Sequence, residues 1–167
     1  MKTRRIAILG PESSGKTTLA NSLSSHFGAT LSEEFARSYL SINGKNYEFN
    51  DLEYIAIRQF ESNSQPTDHA YLIADTEILT VKIWSEVKYD KVSPKVLSLL
   101  DQQKFDFYLL CKPDIPWEKD PLREHPKFRH ELFQMYESAL QKLKWPYCII
   151  EGENRAEKAL KFIGRIS

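Results

Sequence analysis

Five short apolar runs punctuate the chain, RIAIL (5–9), GATLS (28–32), AYLIAD (70–75), FDFYLLC (105–111) and YCIIEG (147–152). Each is too short for a helix and reads as a buried strand, GATLS the least strongly. Between them the apolar positions recur with helical spacing. DLEYIAIRQF places Leu52, Ile55, Ala56 and Phe60 on one face, and ELFQMYESALQKL does the same with Leu132, Phe133, Tyr136, Leu140 and Leu143. SPKVLSLL opens with Ser93 as a helix N-cap and Pro94 at the first helical position. NRAEKALKFIGRI reads as a closing helix capped by Asn154. Strands alternating with helices predict an α/β fold, a parallel sheet covered by helices on both faces. In such sheets ligands bind beyond the carboxyl ends of the strands, so the residues just after each run are the ones to inspect. No repeat or low-complexity linker interrupts the pattern, and residues 1–167 read as a single domain.

Composition narrows the class. A chain of 167 residues can bury roughly 70% of its unfolded surface, enough for one substantial core. Lys+Arg and Asp+Glu are both 23, so no global field argues for nucleic acid or an anionic membrane, and electrostatic work must be local. No stretch approaches the length of a transmembrane span. Cys111 and Cys148 each sit in an apolar run, where a thiol acts as a small hydrophobe; they form neither a disulfide framework nor a metal-ligand spacing. A reduced, cytoplasmic protein is the expectation.

The strongest chemical signal is GPESSGKTT, between the first strand and a helix. Gly10, Gly15, Lys16 and Thr17 fit G-x-x-x-x-G-K-[ST], the P-loop or Walker A pattern. Glycines let the backbone curl so that N–H groups face phosphate oxygens, and the following helix turns its positive end to the anion. The loop as a whole (Gly10, Glu12, Ser13, Ser14, Gly15, Lys16, Thr17, Thr18) is expected to bind ATP. Lys16 would reach the β/γ-phosphates and the Thr17 hydroxyl would ligate Mg²⁺. Asp75, at the end of the third strand, is the second metal position or a general base, although an Asp there can also cap the next helix.

A regulatory GTPase would carry Asp-x-x-Gly where this chain has Asp75-Thr76-Glu77-Ile78, and an Asn-Lys-x-Asp motif that is absent. An oligomeric motor ATPase would be longer. A small phosphotransferase needs a substrate-binding segment and a basic lid. KPDIPWEKDPLREHPKFRH (112–130) supplies a lid candidate, with Arg123 and Arg129 placed to neutralise shifting phosphate charge. Its alternative is a solvated loop of scattered charge.

Taken together, GPESSGKTTL, EEFARSY after the second strand, ADTE after the third and PWEKDPLR in the lid resemble the bacterial ribosylnicotinamide kinase family. That family is the P-loop domain elsewhere fused behind a nicotinamide-mononucleotide adenylyltransferase. The resemblance implies a fold like the nucleoside-monophosphate kinases, with a five-stranded parallel sheet, helices on both faces and a lid. It implies ATP- and Mg²⁺-dependent phosphorylation of the 5′-hydroxyl of nicotinamide riboside, a small-molecule substrate, with no nucleic-acid or membrane partner. Glu77 stands where the family often has Asp, and Glu33 where it has an aromatic residue. No His-x-Gly-His or similar signature occurs, which implies a kinase without the adenylyl-transfer activity.

The matched residues suit that chemistry. A carboxylate must accept the proton of the attacking hydroxyl, and Glu34 and Asp75 are the two candidates, Asp75 slightly ahead. Lys16, Asp75 and Arg123 form the expected catalytic set. Glu34, Arg37 and Tyr39 are expected on the substrate, although Glu33 and Glu34 could simply favour a helix's first turn. Trp117 can stack on the cationic nicotinamide ring or anchor the lid. Asp120 can fix the lid or contact ribose. Asn154 and Arg155, after the last strand, are candidates to line the adenine. A kinase for another small hydroxyl substrate and a nucleotide-dependent regulatory module are the two alternative readings.

Overall fold

The computed structural model describes residues 2–119 and 127–166. Its strands are β1 (Arg4–Leu9), β2 (Thr30–Ser32), β3 (Tyr71–Asp75), β4 (Phe107–Cys111) and β5 (Tyr147–Ile150). The helices are α1 (Lys16–Phe27), α2 (Phe35–Asn43), α3 (Phe49–Ser64), α4 (Ile78–Tyr89), α5 (Pro94–Gln102), α6 (Arg129–Leu143) and α7 (Arg155–Arg165). Among the described residues the strands form one five-stranded sheet of order β2-β3-β1-β4-β5, every pair parallel. The expected α/β architecture is therefore present.

Alternation along the strands builds two cores. In β1, Ala7 and Leu9 join one cluster while Ile6 and Ile8 join the other. The first cluster takes the buried faces of α3, α4, α5 and α6, and the second takes Leu19, Ala20 and Leu23 of α1 with Ala159 and Ile163 of α7. Period-two strands between period-3.6 helices leave no other way to bury both sets of side chains.

Local signals place most helix ends. Ser93 accepts the Val96 N–H through its hydroxyl at 3.2 Å, with Pro94 at the first helical turn, as its sequence predicts. Asn154 occupies the cap position of α7, but with φ 53° and no side-chain cap bond, so it supplies a left-handed turn rather than a capping oxygen. Leu143, expected in the core, is the last residue of α6 and is 38% exposed. GATLS shortens to three strand residues because Gly28, at φ 56°, ends α1. Cys111 is buried, with burial pushing its thiol up to about 12, and Cys148 is partly buried; both are free. No helix among the described residues is long and apolar enough to cross a membrane.

Candidate active site

The parallel register brings β3 beside β1, with Asp75 opposite Ile8, so the end of β3 lies next to the loop that leaves β1. That loop is tightly curled. Gly10 has φ 149°, and a Cβ there would lie 2.6 Å from the Cys111 carbonyl oxygen and 2.7 Å from Ser14 Oγ. Gly15 has φ 83° at the start of α1, and Ser13 takes a left-handed φ of 57° without being glycine. The Ser14 hydroxyl donates to the Pro11 carbonyl at 2.7 Å, and Lys16 Nζ donates to the carbonyls of Gly10 and Pro11, each at 3.0 Å.

Above the loop opens a cavity of about 490 Å³. Residues 10–18 form its floor, and Glu33, Glu34, Arg37 and Asp75 stand in its wall. The Thr17 hydroxyl donates to Asp75 Oδ2 at 2.7 Å, while Asp75 Oδ1 is buried with no hydrogen-bond partner among the described residues. Burial raises the Asp75 carboxyl above the ordinary range; Lys16 and the Thr17 bond pull it back and Glu33 adds to the rise. Glu34 is raised as well, chiefly by burial, with Lys16 and Arg37 opposing and Asp75 and Glu12 adding. Two carboxyls beside one lysine thus share a partly dehydrated space, the setting in which proton affinity is tuned for chemistry.

Asp75 does not cap α4. Glu77 does so from a fully buried position, its side chain accepting the N–H groups of Leu79 at 2.9 Å and Thr80 at 3.2 Å. Gln103 Nε2 also donates to it, and burial lifts the carboxyl to about 7. Between the two acids Thr76 holds φ 88°, a strained conformation for a β-branched residue.

Several expected residues meet here: Gly10, Glu12, Ser13, Ser14, Gly15, Lys16, Thr17, Thr18, Glu34, Arg37 and Asp75 all line the cavity. Others are placed differently. Tyr39 is directed at α3, where its hydroxyl donates to Asp51 Oδ1 at 2.7 Å and its ring packs near Phe35 and Tyr54. Its neighbours Ser38 and Leu40 line the cavity, while the Tyr39 hydroxyl turns to α3. Trp117 has the Arg129 guanidinium over its ring at 5.4 Å, and Arg129 also donates to the carbonyls of Ser13 and Ile115 at 3.0 and 3.1 Å. Arg155 donates to the carbonyls of Ser14, Lys112 and Gly152 and to Asp114 Oδ1. Both arginines brace the outer side of the phosphate loop. Asn154 is exposed at the α7 turn. Asp120 and Arg123 lie outside the described residues, as does part of the segment read as a lid.

The far wall was not legible as a site. Thr80 and Trp84 of α4 and Leu132 and Tyr136 of α6 line it, each pair four residues apart on one helix face. The spacing of Leu132 and Tyr136 announces a buried face, which gives no sign that it also lines a cavity. Trp84 is stacked on Tyr47, with centroids 6.3 Å apart and planes at 21°, and Lys88 Nζ lies 3.5 Å from the Tyr47 centroid.

Comparisons with known proteins agree with this arrangement. The chain is 32% identical over 126 residues to the "Trifunctional NAD biosynthesis/regulator protein NadR" of Salmonella typhimurium (strain LT2), covering 72% of this chain and 31% of that protein. It thus spans about a third of the length of this curated relative. In fold it is similar to a NadR protein in complex with NR, with a TM-score of 0.80 at 20% identity over 98% of this chain and 51% of that one. A deoxyadenosine kinase from M. mycoides superposes with a TM-score of 0.71 at 17% identity, over 98% of this chain and all of that one (100%). The fold is that of the nucleoside-monophosphate-kinase-like P-loop proteins. The AAA domain family model matches residues 5–158, nearly the whole chain, and the protein belongs to that family.

Proposed function

We propose that the protein is an ATP-dependent kinase that transfers the γ-phosphate to the 5′-hydroxyl of nicotinamide riboside, giving nicotinamide mononucleotide and ADP. The observation that carries this reading is one continuous cavity, with the phosphate loop as its floor and Glu34, Arg37 and Asp75 in its wall. Similarity to NadR, one structure of which is described as a complex with NR, supports the choice of riboside.

Lys16 releases the Gly10 and Pro11 carbonyls to meet the β/γ-phosphates, while the Gly10 curl presents the loop backbone to the same oxygens. Thr17 and Asp75 offer hard oxygens to Mg²⁺, and Asp75 Oδ1, without a partner among the described residues, fits that role, since Mg²⁺ is usually held by one or two carboxylates plus substrate phosphates. When bound, the ion screens the charge on the transferring phosphoryl group. With Asp75 tied to Thr17, Glu34 is the carboxyl left to receive the proton of the 5′-hydroxyl. Burial raises its proton affinity, as suits a group that must accept a proton. The hydroxyl oxygen attacks phosphorus, the bond to the β-bridging oxygen breaks, and ADP leaves. Arg37 steadies the substrate side, and Arg123 is assigned to the transition-state charge from the lid, about residues 112–130. The indole of Trp84 in the far wall is an aromatic face for the cationic nicotinamide ring.

Similarity to a deoxyadenosine kinase fold favours, as the second reading, a kinase for another nucleoside. Mass-resolved product analysis with ATP, Mg²⁺ and a panel of ribosides separates them. Nicotinamide mononucleotide is the expected product, and robust turnover of another nucleoside with none of nicotinamide riboside would hand the case to the second reading.

A further inference from the structure

The two carboxyls of the cavity, Glu34 and Asp75, come from separate strand ends, yet one pair of buried amides holds the backbone around both. Gln59 is 1% exposed and Asn63 is 4% exposed, one turn apart on α3. The single amide of Gln59 grips both peptide units of Glu34. Its Oε1 accepts the Phe35 N–H at 2.8 Å, and its Nε2 donates to the Glu33 carbonyl at 3.2 Å. That Nε2 also donates to Asn63 Oδ1 at 3.0 Å, which takes a second bond from the Ser32 hydroxyl at 2.6 Å. Asn63 Nδ2 then donates to the carbonyl of Thr76 at 3.1 Å. Thr76 follows Asp75 and carries the strained φ of 88°, and its own N–H is held by the Ile8 carbonyl at 3.1 Å. The end of α3 is itself anchored to β1, because the Arg5 guanidinium donates to the carbonyls of Asn63 at 2.5 Å and Gln65 at 2.9 Å.

An apolar pair would fill this space without the cost of burying two amides. A hydrogen-bonded network gains geometric definition instead, because its directional bonds specify one arrangement of the groups they join. We propose that Gln59 and Asn63 are positioning residues that set the placement of the Glu34 and Asp75 carboxyls relative to each other for phosphoryl transfer. The inference rests on the kinase reading given under Proposed function, and it adds α3 to the working parts of the site. Neither amide lines the cavity, so both act through the backbone they hold.

The test is a double-mutant cycle in the full chain. Gln59→Met keeps length and apolar volume but removes the amide. Displacing a reacting group by about 1 Å can cost 10²-fold, so kcat per folded molecule should fall by about 10–100-fold. Riboside KM should change much less, and affinity for metal-free AMP-PNP should not change, since the phosphate loop is untouched. In a Glu34→Gln background, where the positioned group is already gone, Gln59→Met should cost less than about a further threefold. Gln59→Glu, held protonated by burial, keeps the acceptor for Phe35 and one donor, and should retain more turnover than Gln59→Met; it also serves if the methionine variant does not fold. A network that only stabilises the fold would lower the folded fraction and leave kcat per folded molecule intact, or would lower kcat equally in both backgrounds. Either result overturns the proposal. The cycle uses whichever riboside the wild type phosphorylates best: a wild type silent on all of them defeats the kinase reading itself, whereas an active wild type with additive variants defeats only the positioning role.

Discussion

Burial of Glu77 makes the protein less stable as pH rises, and Glu77→Gln should remove that dependence. Its carboxyl is raised from the ordinary 4.5 to about 7, with burial as the largest cause. The N–H groups of Leu79 and Thr80 and the Gln103 amide favour the charged form but do not offset the loss of water. The folded chain therefore keeps the proton over a range in which the unfolded chain has given it up. Below about 4.5 both states are protonated and Glu77 contributes nothing; from there to about 7 each step up in pH costs stability, and above about 7 the loss is complete. At about 1.4 kcal/mol per pH unit the full penalty is at most roughly 3 kcal/mol. Glutamine cannot ionise. It keeps one acceptor for the α4 amides but turns its own NH₂ toward other donors, which costs about 1–3 kcal/mol for each donor left unpaired. That cost sets the offset between the two proteins and not its slope. Urea denaturation of both from about pH 5 to pH 8 isolates the slope, since every other titrating group is shared. Wild type should lose roughly 2–3 kcal/mol relative to Glu77→Gln across that range. A flat difference would refute the reasoning, and an opposite slope would mean that the donors and the α4 N-terminus hold Glu77 ionised.

Three further outcomes are expected. Lys16→Ala should lower phosphoryl transfer by about 10²–10³-fold with the circular dichroism spectrum unchanged, because it removes one preorganised charge from the transition state; retention of a tenth of wild-type turnover would contradict the role of the loop. Gly10→Ala should abolish ATP-analogue binding in calorimetry and lower the Tm, because the new Cβ meets the Cys111 carbonyl oxygen at 2.6 Å in a φ that L residues rarely adopt. Trp84→Ala should raise riboside KM by about 3–30-fold, the equivalent of a cation–π contact, and leave the KM for ATP within error; equal effects on both would move Trp84 out of the riboside half of the cavity.

Chemistry carried by neighbours in sequence was legible before any fold was known. Gly10 to Thr18 declare a phosphate loop because its curl, its helix and its lysine all lie within nine residues. Ser93 and Pro94 declare a helix start for the same reason, and alternating periods of two and 3.6 declare a parallel sheet with two covered faces. Partnerships made across long separations were not legible. Asp75 meets Thr17 across 58 positions only because the strand order sets β3 beside β1. The resemblance carried by EEFARSY implies Tyr39 on the substrate; the partner of its hydroxyl, Asp51 on α3, is visible only in the packed structure. The charge of its segment marks Arg129 and its place after the last strand marks Arg155, and neither signal says that loop carbonyls take their donors. Leu132 and Tyr136 carry the pattern of core residues and are buried, yet they also line the cavity, with the partly buried Trp84 beside them in its lining. Local backbone preferences are written every few residues, whereas the place at which two packed faces part depends on the whole set of side-chain volumes between them, which no single segment contains.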